Sequence, residues 1–212
     1  MMGVVVALEA AIREELLRLG SATVYEASGA EGSLDPAIGP VWQGARLCGA
    51  ALPVECSPGD NLAIHVALEH VEPGAVLVVD AHAHLAGYWG EVLTVAAQAR
   101  QVAGLVIDGG VRDSDALGSR RFPVFARGRS IRRTVKHEPG RAGVPLVVGG
   151  ALVRPGDVVL ADADGVVVIR AERLDEVLEA SRRRIAKEDE IMARLRAGEL
   201  TLDLLGLRRP GG

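Results

Sequence analysis

AVLVVD at residues 75–80 and GLVID at residues 104–108 decide the fold class. Each run has the length of a strand and is apolar up to a final carboxylate, which is typical of a strand buried on both faces. The residues between the two runs have a helical pattern from about Gly90 to Val102. This strand, helix, strand order predicts a parallel sheet and an α/β fold.

Shorter segments extend this sheet along the chain. Small and β-forming residues from Val41 to Cys56, with glycines at 44 and 49, predict strands with bends in a curved sheet. We expect 123–126 and 145–148 to continue the sheet, and 158–160 to form a hairpin with 165–169 around residues 162–164.

Two helical patterns precede the apolar runs near the start of the chain. Apolar residues spaced four, four and three apart predict an amphipathic helix from about Val6 to Leu19. A short second helix, capped by Ser21 or Thr23, is expected to end at Gly29.

A third helix precedes the first apolar run, and a long one closes the chain. Residues 58–61 predict a turn in which Asn61 caps the third helix. Residues 171–197 form one charged helical pattern with a narrow apolar stripe. Such a stripe suggests packing against a neighbouring subunit, and we expect the apolar tail 200–207 to dock on this or another protomer.

The composition is that of a globular protein. The 212 residues are 49% hydrophobic and 25% charged, which excludes disordered and fibrous classes and predicts one domain over 1–212. The formal net charge of -4 gives no general attraction to nucleic acid or to acidic membranes. We therefore expect a small-molecule or protein partner, with no nucleic acid and no membrane.

The cysteines and the first residues indicate a cytoplasmic protein. Cys48 and Cys56 lack the spacing of a redox or zinc motif, so two buried free thiols are expected. The apolar residues 4–6 are followed at once by charged residues, so neither a signal peptide nor a membrane-spanning run is predicted.

The shortage of lysine limits the chemistry. Lysine occurs only at Lys136, in a polar loop, and at Lys187, in the long charged helix. Enzymes that form a Schiff base need a lysine desolvated in a pocket. Covalent imine catalysis is therefore disfavoured.

The most informative short segment is DGGVRD at residues 108–113. Two glycines directly after a buried strand allow the backbone to approach a ligand closely. Arg112 and Asp113 would then place a fixed cation beside an oxygen ligand suited to a hard metal ion. The alternative is a glycine-rich turn followed by a surface ion pair.

A second segment, WGEVL at residues 89–93, opens the helix that leads to this strand. The backbone N–H groups near Val92 and Leu93 have no partners inside the helix, so they could hold a substrate carboxylate beside Glu91. The alternative is a first-turn glutamate that only complements the helix dipole. Both segments are expected at one end of the sheet.

The chain resembles the RraA-like family. The resemblance covers nearly the whole sequence, and DGGVRD is its most specific signature. It implies a swivelling β/β/α layered domain with flanking N-terminal helices and a long C-terminal helix. The motifs that carry it are TVYEA (23–27), GDN (59–61), WGE (89–91), GLVIDGGVRD (104–113), FPVFARG (122–128), RPGD (154–157), DADGV (162–166), KE (187–188) and the tail 198–207.

Within that family the chain is similar to the metal-dependent aldolases of 4-hydroxy-4-methyl-2-oxoglutarate and 4-carboxy-4-hydroxy-2-oxoadipate. The resemblance implies cleavage that releases pyruvate, with Mg²⁺ or Mn²⁺ as cofactor, in a homotrimer or a hexamer of two trimers. Oxaloacetate has the same 2-oxo acid head, so its decarboxylation is expected as a second activity.

The resemblance also implies roles for individual residues. Asp113 would be the direct metal ligand, while Glu91 and Glu26 would hold water bound to that metal. Arg112 would contact the keto oxygen of the pyruvyl group, and Glu188 would come from an adjacent subunit. Gly90, Val92, Leu93 and Arg112 form the expected substrate-binding set. A water relayed by Glu91, Glu26 or Glu188 is the candidate base.

The chain departs from the family pattern at two places. Ala116 stands where the family is often acidic, with Asp115 one position earlier. The loop 81–88 is shorter and richer in histidine than usual, and His82 and His84 could bind a transition metal if a third ligand were present. Without an obvious third ligand, contact with substrate or no role is favoured.

Two other functions compete with the aldolase. The family includes regulators that bind and inhibit ribonuclease E, but such a binding protein needs no metal-binding carboxylate beside a helix N-terminus. A methyltransferase would need a glycine-rich strand-to-helix loop for a nucleotide-like cofactor, and the glycines after Asp108 do not have that pattern.

Overall fold

The structure is a computed structural model that describes residues 8–208. Residues 6 and 7 of the predicted first helix, and both ends of the predicted domain over 1–212, lie outside the described residues.

The described chain alternates strands and helices through its middle and ends in a long helix. The seven α-helices are α1 (Ala10–Leu19), α2 (Ser21–Ala27), α3 (Leu62–His70), α4 (Glu91–Ala99), α5 (Ser114–Ser119), α6 (Leu174–Arg196) and α7 (Thr201–Leu204) among the described residues. The strands are β1 (Gly39–Pro40), β2 (Leu47–Glu55), β3 (Val76–Asp80), β4 (Gly104–Val111), β5 (Val124–Arg129), β6 (Arg141–Ala142), β7 (Leu146–Val148), β8 (Ala151–Val153), β9 (Val158–Asp162) and β10 (Gly165–Ile169).

One main sheet has the order β1-β5-β4-β3-β2-β9-β10, and β6 also pairs with β2. Strands β2 to β5 are parallel neighbours, while β1, β6, β9 and β10 join antiparallel. The ends of this order, β1 and β10, are in contact, so the sheet curls back on itself. The predicted α/β class is confirmed, as is the hairpin of β9 and β10.

The two faces of the sheet carry different layers. Helices α3, α4 and α5 cover one face and enclose a core that includes Leu52, Ile64 and Leu105. The β7–β8 hairpin covers the other face, where Val148 and Val153 pack with Val78 and Phe125. This is the expected β/β/α layering. Helices α1, α2 and α6 pack on β9 and β10 in a third cluster.

The prediction that 145–148 continues the main sheet is wrong. Among residues 8–208, strand β7 pairs only with β8, in a separate two-stranded hairpin. Gly149 and Gly150 connect the two strands, and both have positive φ (53° and 84°). A two-residue connection of this kind matches the twist of a tight hairpin, so the chain turns back at once.

Three other predictions change in detail. Between Val41 and Cys56, one strand forms, over 47–55, because a turn at 42–45 with Gly44 at positive φ precedes it. Gly20, rather than Ser21 or Thr23, occupies the N-cap position of α2; both predicted caps lie inside the helix, and the Ser21 hydroxyl donates to Asp162. Asn61 is the N-cap residue of α3 but makes no capping hydrogen bond.

The long helix is only partly packed. Val177, Leu178 and Ser181 are buried, whereas the stripe residues after them are at most half-buried. The tail folds into one short helix, and the leucines at 200, 202, 205 and 207 are exposed. Within residues 8–208 we find no helix that is both long enough and apolar enough to span a bilayer.

Candidate active site

Asp113 lies at the end of the central strand β4 and immediately before α5. Its backbone is in the left-handed region (φ 58°), which turns the chain sharply out of the sheet. One carboxylate oxygen, Oδ2, accepts the backbone N–H of Glu91 at 3.0 Å. The first amide of α4 and the end of β4 are therefore joined directly.

The segment before α4 runs beside the end of β4. Tyr88 N–H donates to the Gly110 carbonyl (3.1 Å), and Arg112 N–H donates to the Trp89 carbonyl (2.9 Å). A Cβ on Gly110 would lie 2.5 Å from the Ala86 carbonyl oxygen. The glycines of DGGVRD therefore make room for this loop, and not for a ligand as we expected from the sequence.

Gly90 determines where the Asp113 carboxylate lies. A Cβ at Gly90 would lie 2.4 Å from Asp113 Oδ2 and 3.1 Å from Arg112 Cγ. The backbone of Gly90 is extended (φ -164°), so alanine is compatible with the local conformation. The requirement for glycine thus comes from the neighbouring side chains.

Gly90→Ala should therefore fold but lose activity by about 10²-fold, because a displacement of about 1 Å at a reacting centre has that effect. The measurement compares catalytic rate and thermal unfolding. Gly39→Ala is the matched control, since a Cβ at Gly39 meets no atom within 4 Å. Full activity in Gly90→Ala would mean that the position of Asp113 is not critical.

Arg112 lines a cavity between α3, α4 and the loop after β5. The cavity has a volume of about 180 Å³. The Arg112 side chain is 48% exposed, and its Nε lies 3.7 Å from Asp113 Oδ2. The cavity is lined by Asn61, His65, Gly87, Tyr88, Gly90, Val92, Leu93, Arg112, Thr134 and Lys136.

The start of α4 presents free amides to the same cavity. The N–H groups of Val92 and Leu93 have no hydrogen-bond partner among residues 8–208. Trp89 Nε1–H donates to Thr94 Oγ1 (2.7 Å), and this hydroxyl donates to the Gly90 carbonyl (3.1 Å). These buried bonds fix the first turn, so its amides keep their direction.

Six cavity residues were not among the predicted site residues: Asn61, His65, Gly87, Tyr88, Thr134 and Lys136. The sequence placed Lys136 in a polar loop, and the structure shows that this loop borders the cavity. Lys136 is nevertheless exposed, unlike the desolvated lysine of a Schiff-base enzyme.

Asn61 and His65 each have a buried polar atom without a partner in the described chain. These atoms are Asn61 Oδ1 and His65 Nε2. Burial, with the charge of Lys136 as a further cause, lowers the pKa of His65. Buried polar groups are normally hydrogen-bonded, so two orphaned atoms beside one cavity suggest a polar ligand there.

Comparison with known proteins places this chain in a family. A family model described as RraA-like, Aldolase/RraA, matches residues 21–168, more than half of the chain. The chain belongs to the RraA-like family. The resemblance noted in the sequence is thereby confirmed.

Individual relatives of this RraA-like chain agree with the assignment. A protein from Halalkalibacterium halodurans, provisionally named a 4-hydroxy-4-methyl-2-oxoglutarate aldolase, is 35% identical over 158 residues, covering 74% of this chain and 75% of the relative. An uncharacterized protein from Pseudomonas syringae pv. tomato has a TM-score of 0.82 at 26% identity, covering 98% and 99% of the two chains.

A second solved relative carries a different functional name. Streptomyces coelicolor RraAS2, described as an unusual member of the RNase ES inhibitor RraA protein family, has a TM-score of 0.75 and 27% identity. The alignment covers 88% of this chain and 97% of the Streptomyces chain. The RraA-like family thus includes both aldolase and inhibitor names.

Glu91 does not face Asp113 with its carboxylate. Its Oε1 accepts hydrogen bonds from Arg120 Nη2 (2.7 Å) and Nε (3.0 Å). Only its backbone N–H contacts Asp113. The other carboxylate oxygen, Oε2, has no hydrogen-bond partner among residues 8–208 and stays free to order water.

Glu26 and Glu188 lie together but apart from Asp113 within one chain. Arg184 on α6 forms ion pairs with both, at 2.9 Å to Glu188 Oε1. Both carboxylates are about half-exposed. Among residues 8–208, no hydrogen bond or ion pair links either glutamate to Asp113, Arg112 or Glu91.

The two loop histidines have separate surroundings. His82 Nδ1 lies 3.3 Å from Asp80 Oδ2, and its Nε2 lies 3.8 Å from Glu55 Oε1. The structure thus brings two carboxylates to His82, which the sequence did not indicate. Glu55 is already paired with Arg141, and the two carboxylates face opposite ring nitrogens. His84 Nδ1 instead contacts Tyr88 Oη at 2.8 Å.

The donor set at Asp113 fits a hydrated divalent metal. Asp113 Oδ1 has no hydrogen-bond partner in the described part of the chain, while Oδ2 is held by Glu91 N–H. Mg²⁺ usually keeps several waters and takes one or two protein carboxylates. In residues 8–208, groups of three or more candidate ligands occur only at Glu55, Asp80 and His82, so Asp113 would bind such an ion with water or with groups from another chain.

Proposed function

We propose that the protein is a divalent-metal-dependent aldolase that releases pyruvate from a 4-hydroxy-2-oxo acid. The observation that carries the proposal is one cavity bordered by the Arg112 guanidinium and the free amides of α4, beside the Asp113 carboxylate. The aldolase names of RraA-like relatives support the same class. The substrates that fit best are 4-hydroxy-4-methyl-2-oxoglutarate and 4-carboxy-4-hydroxy-2-oxoadipate.

The 2-oxo acid end of the substrate would bind at the start of α4. Its carboxylate would accept the N–H groups of Val92 and Leu93, where the helix dipole favours negative charge. Arg112 would donate to the keto oxygen. Leu93 is buried and Val92 is 79% exposed, so the mouth of the cavity stays open to the substrate.

Asp113 would hold Mg²⁺ or Mn²⁺ through Oδ1, with Gly90 keeping the carboxylate in place. When bound, the metal supplies a positive charge that favours electron density on the keto and carboxylate oxygens.

In the proposed cleavage, negative charge develops on the 2-keto oxygen. The bond between C3 and C4 breaks, its electron pair passes to C3 and the 2-keto oxygen, and the C4 hydroxyl loses its proton. Arg112 stabilises the enolate where its charge develops. The proton passes to water ordered by Glu91, Glu26 or Glu188, and a proton returned to C3 yields pyruvate. Oxaloacetate would give the same enolate by loss of CO₂.

The far end of the substrate would meet Lys136, Asn61 and His65. These substrates carry a second carboxylate, which a lysine ammonium can pair with. The orphaned Nε2 of His65, carrying the ring proton, would donate to this carboxylate, while the orphaned Asn61 Oδ1 is an acceptor and would bind a substrate hydroxyl instead. Lys136 would therefore contribute to substrate affinity and not to imine formation.

Glu26 and Glu188 would serve the site of a neighbouring subunit in a homotrimer or a hexamer. Their partial exposure, and the absence of a hydrogen bond or ion pair from either to Asp113 among residues 8–208, support this arrangement. The exposed leucines of the tail 200–207 are suited to the same contact.

The function predicts a metal requirement without an imine. Pyruvate release from a panel of 4-hydroxy-2-oxo diacids and triacids, and from oxaloacetate, should require added Mg²⁺ or Mn²⁺ and stop in excess chelator. Treatment with borohydride and pyruvate should leave activity and intact mass unchanged, because Lys136 is exposed. Turnover in chelator, or pyruvate trapped on Lys136 or Lys187, would refute the mechanism.

The inhibitor name of the Streptomyces relative supports one alternative, a non-enzymatic regulator of ribonuclease E. A regulator would release no pyruvate from any substrate of the panel and would slow ribonuclease E cleavage of RNA. Arg112→Lys separates the two functions, since it removes the planar guanidinium from the cavity while leaving the charge of the surface unchanged.

A further inference from the structure

The loop after β5 carries cavity residues on a backbone with little support of its own. Residues 130–140 form no helix and no strand beyond an isolated bridge at Val135, and most are exposed. Thr134 and Lys136 of this loop line the cavity. An exposed, irregular segment samples many conformations unless other elements restrain it.

A buried carboxylate restrains this loop. Asp60, 3% exposed, lies in the turn before α3. Its Oδ2 accepts the N–H groups of His137 (2.7 Å) and Glu138 (2.9 Å), the two residues directly after Lys136. Its Oδ1 accepts the Leu62 N–H (2.9 Å) and so caps α3 in place of Asn61.

Backbone hydrogen bonds complete the contact between the two segments. Val135 N–H donates to the Gly59 carbonyl (2.9 Å), and Asn61 N–H donates to the Val135 carbonyl (3.1 Å). The residues on both sides of Lys136 are thus hydrogen-bonded to the turn that contains Asn61. His65 lies four residues later, in α3.

The Asp60 carboxylate is stable in its charged form. Burial alone raises the pKa of an aspartate, but the N–H groups of Leu62, Glu138 and His137 outweigh burial and lower the pKa of Asp60. Three donors to one ionised carboxylate make strong hydrogen bonds.

We propose that Asp60 is a positioning residue that holds Lys136 at the cavity by binding the backbone of residues 137 and 138. The link to catalysis rests on the proposed function, in which Lys136 binds the far carboxylate of the substrate. The restraint of the loop is independent of that function.

The two lysines of the chain allow a direct test. A lysine-specific protease can cut the native protein only after Lys136 and after Lys187, and Lys187 lies inside α6. In Asp60→Asn one carboxylate oxygen becomes an NH₂ group, which cannot accept a hydrogen bond. The side chain can then accept either the Leu62 N–H or the N–H groups of His137 and Glu138, but not both. We expect cleavage after Lys136 to be about tenfold faster, because cleavage follows the population of the open loop.

Asp60→Ser separates the loop from the helix cap. A serine oxygen can still accept the Leu62 N–H, but it is too short to reach His137 and Glu138 as well. It should therefore show the same faster cleavage after Lys136. The matched control is Asp157→Asn, since Asp157 is 2% exposed and also binds backbone N–H groups, of Arg154 (2.9 Å) and Ala171 (3.1 Å). We expect this control to cut at the wild-type rate.

Cleavage after Lys187 reports whether each variant is folded and should stay constant. A wild-type rate of cleavage after Lys136 in Asp60→Ser, or an equal increase in Asp157→Asn, would overturn the proposal. In the aldolase assay, Asp60→Ser should raise KM about tenfold in the wild-type background and have no further effect on KM in Lys136→Met. Faster cleavage without any aldolase activity would refute the proposed function and leave the restraint by Asp60 standing.

Discussion

Arg112→Lys should lower kcat/KM for pyruvate release by about 10² to 10³-fold, the usual effect of removing one donor to a developing oxyanion. The aliphatic stem packs closely against Gly87 and Gly90, and a lysine stem can follow the same path. The substitution therefore keeps the charge and the fold. It loses the planar fork that addresses the keto oxygen and a carboxylate together.

The matched control is Arg100→Lys at the end of α4. Arg100 Nη1 donates to the Glu69 carbonyl at 2.9 Å on the exposed surface, away from the cavity. This variant should keep wild-type kinetics and the same unfolding temperature within about 2 °C. Equal turnover in Arg112→Lys and wild type would assign Arg112 the alternative role, a surface ion-pair partner of Asp113.

The strands of the sheet could be predicted where apolar residues show that a segment is buried. Strands β3 and β4 are buried at every position, and their sequences are apolar except for Asp80 at the end of β3 and Asp108 within β4. The segment 145–148 has the same apolar character but joins a second layer. Apolarity reports that a strand is buried, whereas its partner depends on the turn at Gly149 and Gly150 and on contacts distant in sequence.

Predictions about single residues were limited in the same way. DGGVRD indicated a close backbone approach, but the local pattern could not say that the Ala81 and Ala86 loop fills the space. The sequence showed that Lys136 lies in a polar loop but not that this loop is held at the cavity, because the residue that holds it, Asp60, lies 76 positions earlier in the chain. One signal was present: Asn61 and His65 are four residues apart in a helical pattern, which places them on one face.

The acidic residues could be named from the resemblance but not located by it. Glu91 supplies its amide to Asp113, while its carboxylate binds Arg120. Glu26 and Glu188 share Arg184 and form no hydrogen bond or ion pair with Asp113, Arg112 or Glu91 among residues 8–208. A site assembled from two chains leaves no periodic pattern in one sequence. Whether Glu188 belongs to such a site therefore has to be tested by mixing subunits that carry different substitutions.

Asp113→Ala should abolish pyruvate release, because it removes the only protein ligand proposed for the metal. Glu188→Gln should retain activity that is about 10 to 100-fold weaker, the usual effect of removing a carboxylate that orients a ligand of a metal. Glu179→Gln is the matched control on α6: Glu179 is also ion-paired with an arginine, Arg182, and should keep wild-type activity.

Mixing the two variants tests whether Glu188 acts across a subunit boundary. In a mixed oligomer, the Asp113→Ala subunit supplies an intact Glu188, and its neighbour supplies an intact Asp113. Some interfaces then hold both carboxylates, so activity after subunit exchange should exceed the sum of the separate variants. Sedimentation at micromolar concentration should show a trimer or hexamer for every protein in the mixture.

The result separates three arrangements of the same residues. Activity above the sum requires that an intact Glu188 reaches a site whose Asp113 belongs to another chain, since the Asp113→Ala subunit has no active site of its own. Strictly additive activity after confirmed exchange would place Glu188 with its own chain's site or outside any site. A fully active monomer would exclude the shared site altogether, and Glu26 and Glu188 would then have only the ion pairs that they form with Arg184.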